Sequence, residues 1–221
     1  MWTGVFLSAD DELSFAGRRW GARTYIAVAG GVAGDRWLGS LSTYLLAARG
    51  GMHGRILAAG DVIAASGLPN GPAITGRQLG PDSRPPYSEH LLHTVVGPHI
   101  KRLGSEGRRD FFGSAFRVSR DADRMGYRLE GPILDASGDE LLSFGLVAGA
   151  LQVPRSGQPI LLMADHGTAG GYPVVATVAS AAMPVAAQLL PGDELSFSEI
   201  SVEAALRLRA AQRLALDSLK S

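Results

Sequence analysis

The chain has 221 residues, a formal net charge of zero, no cysteine and 29 glycines. That glycine share is roughly double the usual ~7 %, and with sparse aromatics and charges it suits short strands joined by tight turns rather than a helical bundle. Neutrality removes the electrostatic case for nucleic acid or an anionic membrane surface, and the missing thiols exclude disulfides, thiolate catalysis and cysteine-ligated metals.

No basic segment followed by an apolar one marks the start, so nothing reads as a signal peptide. The uncharged window from His166 to Gly192 is broken by Pro173, Pro184 and Pro191 and is rich in alanine, which argues for a buried segment over a membrane span. The expected setting is the cytoplasm.

In chain order, Val5 to Phe15 offers short apolar pieces around the acidic turn Asp10-Asp11-Glu12. Arg23 to Val28, RTYIAV, predicts a buried strand stopped by Gly30-Gly31. Leu41 to Ala48 suits a short helix, and Arg55–Leu57 and Val62–Ala64 read as strands around Gly60-Asp61. Residues 67–88 are polar and proline-rich, a linker or long loop. Strands then follow at Leu92–Val96, Ala115–Val118, Tyr127–Leu129, Leu146–Val153, Ile160–Met163 and Val174–Val178. Ser201 is placed to cap a helix from Val202 to about Leu219. DELSF occurs twice, at Asp11–Phe15 and Asp193–Phe197, an echo that fits two subdomains on one β-rich plan.

Several motifs can be set aside. No Gly-Lys pair exists, so there is no phosphate loop, and YIAVAGGVAG has Val32 where a dinucleotide fingerprint needs its second glycine. There is no GxSxG elbow. On a strand, His90 and His93 fall on opposite faces, so they do not form a zinc site with His99, and no metal site is expected.

The most informative tract is Gln152 to Pro173, QVPRSGQPILLMADHGTAGGYP. An apolar run delivers one carboxylate, Asp165, to a loop with His166, Thr168, Gly170, Gly171 and Tyr172, and no charged residue follows until Asp193. Glycines let backbone amides approach a ligand closely, so the tract reads either as a site or as a plain turn between strands.

DADRMGYRLEG (Asp121–Gly131) followed by GALQVPRSGQPILLMADHGTAGGYPV (Gly149–Val174) closely resembles the allophanate hydrolase subunit 2 family, whose members are also called KipA-like proteins, biotin-dependent carboxyltransferase family proteins or the C subunit of bacterial 5-oxoprolinase. RTYIAVAGG, GSLST, GRILAAGD and VVGPH fit the same family in the right order. The family usually carries Ser where Ala122 stands, an acidic residue at Phe144, and Gln and Thr at Gly167 and Ala169. It also usually has a long N-terminal segment ahead of the part matching Met1-Trp2, so this chain is expected to lack part of the first barrel.

The resemblance implies a mainly β chain with a few helices: two cyclophilin-like β-barrel subdomains, the first incomplete. The expected division is residues 1–66, a linker at 67–88, and 89–221 with the C-terminal helix. It implies a KipA-like subunit of an ATP-dependent 5-oxoprolinase-type amidohydrolase, converting 5-oxoproline to glutamate with a KipI-like partner (the B subunit of 5-oxoprolinase) and a third component, the A subunit. ATP would then serve the complex. The alternatives are a biotin-dependent carboxyltransferase component acting on urea or a similar amide, and a non-catalytic module binding a KipI-like kinase inhibitor.

Chemistry on an amide-like carbonyl needs donors for a developing oxyanion and a carboxylate to orient an N–H or water. On the family reading the catalytic candidates are Asp165, Arg124 and Tyr127. The substrate-binding candidates are Arg128, Gln152, Gln158, Gly170, Gly171, Tyr172, Ser42 and Thr43. Each has a structural reading too: Asp165 capping the Gly170-Gly171 turn, Arg124 and Arg128 paired with Asp121, Asp123 or Glu130, and the tyrosines packed in a core.

Overall fold

The computed structural model describes residues 2–67 and 75–217. The chain divides into two compact units. Of the described residues, one gathers 3–9, 24–67 and 75–77; the other gathers Trp2, 10–23 and 78–217.

The second unit is a closed barrel. Its elements are β1 (Leu91–Val96), α1 (Gly104–Gly113), β2 (Phe116–Val118), β3 (Gly126–Glu130), β4 (Phe144–Gly145), β5 (Ala150–Gln152), β6 (Ile160–Leu162), β7 (Ala169–Gly170), β8 (Val174–Val178), α2 (Met183–Ala186), β9 (Glu194–Glu199) and α3 (Val202–Asp217). Seven strands close in the order β1-β8-β5-β6-β3-β2-β9, and β4 pairs with β7 as a separate ribbon. Closure rests on β9, which lies parallel to β1 (Leu92 opposite Phe197) and antiparallel to β2 (Phe116 opposite Leu195). No barrel edge is left unpaired by this arrangement.

Alternation along the strands fills the interior. Tyr127 and Leu129 point inward from β3 while Arg128 and Glu130 point out. Phe111 of α1 stacks on Phe197 at 4.8 Å between ring centroids and meets Phe116 at 6.0 Å, so one face of α1 plugs the aromatic end of the core. A smaller cluster, Ala150, Leu162 and Val174, forms on the outer face and is covered by Phe144, Leu146 and Ile160. Gly97 fits where it does because a Cβ there would lie 2.4 Å from the Val174 carbonyl oxygen.

The strands expected in the second half form, with Leu146–Val153 shortened to Ala150–Gln152 because Phe144 and Gly145 leave to pair with Gly170 and Ala169. Ser201 does cap α3, its hydroxyl accepting from the Ala204 N–H at 3.2 Å. Helix α1 was not foreseen: GSEGRRDFFG has only Phe111 and Phe112 for an apolar face, and tertiary packing of Phe111 makes the helix.

The first unit departs most from expectation. Among its described residues there are isolated bridges, such as Asp35 with Gly51 and Val32 with Ala65, and no strand ladder. Arg23–Val28 is not a strand, and Tyr25 is 82 % exposed. A β-branched run becomes a strand only when a neighbouring strand takes its backbone groups, and here the Gln188 side chain takes those of Arg23 while no described strand pairs with the rest. Arg55–Leu57 and Val62–Ala64 are likewise not strands, although the Ala64 carbonyl accepts from the Ala33 N–H at 2.8 Å, and the helix expected over Leu41–Ala48 is a single 3-10 turn, Leu45–Ala47. The DELSF echo is not structural. Its second copy is held in the barrel as part of β9 between β1 and β2, while Asp11–Phe15 is exposed coil. Of the expected linker, residues 68–74 lie outside the described residues; Pro81–Ser83 form one 3-10 turn.

Candidate functional site

Two loops at one end of the β3–β6 pair build the polar site. The loop before β3 is shaped by Asp123, whose Oδ1 accepts from the N–H groups of Met125 at 2.8 Å and Gly126 at 3.1 Å. This Asx turn spends Asp123 on the backbone and leaves Arg124 to project outward. Beyond β6, the Met163 N–H donates to the Met125 carbonyl and the Asp165 N–H to the Arg124 carbonyl, which extends the ladder into the loops. The side chains then meet: Arg124 Nε lies 2.9 Å from Asp165 Oδ2, and Nη2 lies 3.1 Å from Oδ1. Asp165 therefore does not cap the Gly170-Gly171 turn, and Arg124 does not pair with Asp121, Asp123 or Glu130.

His166 follows at once, its Nδ1 2.7 Å from the Gly167 carbonyl. A carbonyl only accepts, so Nδ1 carries the proton and Nε2 of the neutral ring remains an acceptor. A fork of guanidinium on carboxylate beside an imidazole acceptor can polarise a carbonyl and orient an N–H or a water.

A second group lies on the outer face of the barrel. Register places Arg128, Ile160 and Gln152 directly opposite one another across β3, β6 and β5. Gln152 is buried, and its amide makes a long contact of 3.5 Å to the Tyr172 carbonyl. Gly170 and Gly171 let the 141–146 segment come close: a Cβ on Gly170 would meet Leu146 at 2.9 Å, and one on Gly171 would meet the Leu141 carbonyl at 3.1 Å. The Tyr172 side chain is half exposed, and Arg128 has no acidic partner among the described residues. Arg128 lies within β3 and Arg124 in the turn that precedes it, so the two groups are distinct ends of one surface joined by the 165–172 loop.

The remaining candidates lie elsewhere. Tyr127 is inside the barrel, 2 % exposed, with its hydroxyl accepting from Arg23 Nη1 at 2.8 Å. Gln158 clamps the backbone of Gly131, accepting at 3.1 Å and donating at 3.2 Å, which is a structural role. Ser42 and Thr43 belong to the first unit. There the Ser42 N–H donates to Ser40 Oγ at 3.0 Å, and Thr43 Oγ1 occupies space that a Cβ on Gly51 would need. His90, His93 and His99 each bind a different group, and no cluster of metal-ligating side chains occurs among the described residues.

Arg23 and Gln188 were missed as a pair. The Gln188 amide accepts from the Arg23 N–H at 2.9 Å and donates to its carbonyl at 3.0 Å, while Arg23 also donates to the Ala187 carbonyl. One signal was available: Gln188 is a lone amide in the apolar run VAAQLL, and a buried amide must find partners.

A closed β-barrel presenting an arginine–carboxylate fork beside a glycine loop is the class of domain that fold and site define. The chain belongs to the carboxyltransferase domain family, subdomains A and B, which it matches over residues 1–199. It is 36 % identical to the 5-oxoprolinase C subunit of Escherichia coli over 99 % of this chain and 70 % of that protein. It is 32 % identical to the 5-oxoprolinase C subunit of Haemophilus influenzae over 96 % of this chain and 67 % of that one. Its structure is similar to part of the K. lactis urea amidolyase, with a TM-score of 0.82 at 27 % identity, covering 90 % of this chain and 13 % of that one. No helix among the described residues is long and apolar enough to cross a membrane.

Proposed function

We propose that this chain is the KipA-like subunit of an ATP-dependent 5-oxoprolinase-type amidohydrolase, opening the lactam of 5-oxoproline to glutamate. It works with a KipI-like subunit and a third subunit, and ATP is handled by the complex, since this chain has no phosphate loop. The observation that carries the reading is the 36 % identity to the 5-oxoprolinase C subunit along 99 % of the chain. The geometry supports it. Arg124 supplies N–H donors suited to charge developing on a lactam oxygen, and Asp165 supplies a carboxylate for the ring N–H or a water. Arg128, without an acidic partner among the described residues, belongs to the separate outer-face group. The site is open on its outer side, as a surface completed by another subunit would be.

The test is reconstitution. Alone, the protein hydrolyses nothing. Co-expressed with both partner subunits, it gives ATP turnover that depends on 5-oxoproline; an assembled complex without that turnover overturns the reading.

A second reading is favoured by the structural similarity to urea amidolyase: a carboxyltransferase component that moves a carboxyl group from carboxybiotin to urea or a related amide. Carboxybiotin-dependent carboxylation of urea in the same assembly, without 5-oxoproline turnover, would select it.

A further inference from the structure

The second unit holds a cleft of about 220 Å³ that the proposed activity leaves unused. Its apolar lining includes Val185 and Leu189, both buried in the barrel core. Trp20 and Tyr87 line it as an edge-on aromatic pair, 4.8 Å between centroids at 62°. Arg18 and Arg19 line it too, and neither has an acidic partner among the described residues. The cleft's shape is set by Gly21, with φ +70°, where a Cβ would lie 2.5 Å from Gln188 Oε1.

The lining also offers acceptors. His90 Nδ1 lies 2.8 Å from the Glu194 carbonyl, so Nδ1 carries the proton and Nε2 of the neutral ring accepts. Asp193 Oδ2 takes the Leu190 N–H at 2.9 Å, which leaves its other oxygen as an acceptor. The Gln188 amide is spent on the backbone of Arg23, so it shapes the cleft and recognises nothing.

We propose that this cleft binds a small planar carboxylate bearing an N–H donor: the carboxylate on Arg18 and Arg19, the flat body against Trp20 and Tyr87, the N–H on Asp193 or His90. Paired guanidinium forks match a carboxylate, and arginine and aromatic side chains both favour flat ligands. A bare phosphate would leave the aromatic pair unused and bring Asp193 and His90 no N–H donor. The volume falls below the ~300–1,000 Å³ of pockets for drug-sized ligands, which restricts the ligand to a small one.

The experiment titrates the isotope-labelled chain with four probes and follows the Trp20 indole and Gly21 amide signals by NMR. Indole-3-acetate has all three features, tryptamine lacks the carboxylate, 1-naphthaleneacetate lacks the N–H donor, and inorganic phosphate has only charge. Indole-3-acetate should bind saturably, 1-naphthaleneacetate more weakly, and tryptamine and phosphate not at all. The Arg18→Ser/Arg19→Ser variant should weaken indole-3-acetate by at least about ten-fold with an unchanged thermal transition, because both side chains are exposed. The proposal is overturned if indole-3-acetate shows no saturable shift, if tryptamine or phosphate binds as well, or if the double variant binds unchanged. Equal affinity of 1-naphthaleneacetate removes the role given to Asp193 and His90. The measurement needs no partner protein and no ATP, so its failure and that of the 5-oxoprolinase reading are separate results.

Discussion

Arg124 and Asp165 hold each other through two N–H···O contacts, 2.9 and 3.1 Å, and through the backbone, where the Asp165 N–H donates to the Arg124 carbonyl at 2.9 Å. The arginine side chain is 55 % exposed and the carboxylate 26 %, so water screens the pair from one side. An exposed ion pair is worth only ~0–1 kcal/mol, which makes it a weak reason for the fold. Its interest is geometric: it holds a cation and a carboxylate in register on the loops where substrate would arrive.

Asp165→Asn should therefore leave the chain folded, with unfolding free energy changed by no more than about 1 kcal/mol, while activity of the assembled complex falls by about 10²-fold or more. Arg124→Lys keeps the charge and loses the fork, and should also lose most activity. Thermal melts paired with 5-oxoproline-dependent ATP turnover check both halves. Full activity in Asp165→Asn would remove Asp165 from the chemistry.

Close backbone approach sets a second expectation. At Gly97 the obstructing atoms are backbone of β8, the Val174 oxygen at 2.4 Å and the Val175 carbonyl carbon at 2.8 Å, and the barrel cannot yield there without moving a strand. Gly97→Ala should cost about 1–3 kcal/mol or more, read from urea unfolding midpoints. At Gly170 the nearest atoms are side-chain ends of Leu146 and Gln152, so Gly170→Ala should cost less than Gly97→Ala and act mainly by shifting Gln152. Equal losses at the two positions would contradict this ranking.

How much of this was legible in the sequence depended on whether a segment carries its own partners. Ile160–Leu162 and Val174–Val178 are apolar and β-branched, and each has neighbours on both sides in the barrel, so pattern and structure agree. Arg23–Val28 has the same pattern but no described strand beside it, and a periodicity argument cannot see that. Residue types also located the Arg124 and Asp165 loops, because turn chemistry is local. For Tyr127 the residue type left a catalytic role and core packing both open, and the partner its hydroxyl takes, Arg23, is 104 residues away and so outside any local pattern. Alternation does put Tyr127 and Leu129 on one face and Arg128 on the other, but only the closed barrel says which face is inside.

The Arg23 contact gives a third expectation. Gln188 makes two hydrogen bonds to the Arg23 backbone, and its own carbonyl accepts from the Ala22 N–H at 3.0 Å. Gln188→Leu removes the two side-chain bonds, worth together about 1–3 kcal/mol locally. The Arg23 amide should exchange with solvent faster by roughly ten-fold or more, while amides of β5 and β6 keep their protection. Uniform acceleration across the barrel would instead mean that the contact supports global stability.

The last expectation concerns acid. In the first unit Asp61 accepts two guanidinium N–H groups from Arg55, each at 2.7 Å, and the Ala58 N–H at 2.7 Å. The hydrogen bond from Arg55, then that from Ala58, holds the Asp61 carboxyl well below the usual carboxylate range. A depressed folded value means the unfolded chain takes up the proton first as pH falls. The stabilisation of the 55–61 turn is therefore complete above the unfolded value of about 3.9 and is lost as pH drops through the folded one. Carboxyl carbon NMR should show Asp61 still ionised at a pH where an ordinary exposed aspartate is mostly protonated. Arg55→Gln should move its inflection upward, toward the ordinary range. An inflection already in that range in the unaltered protein would show that the fork does not persist in solution.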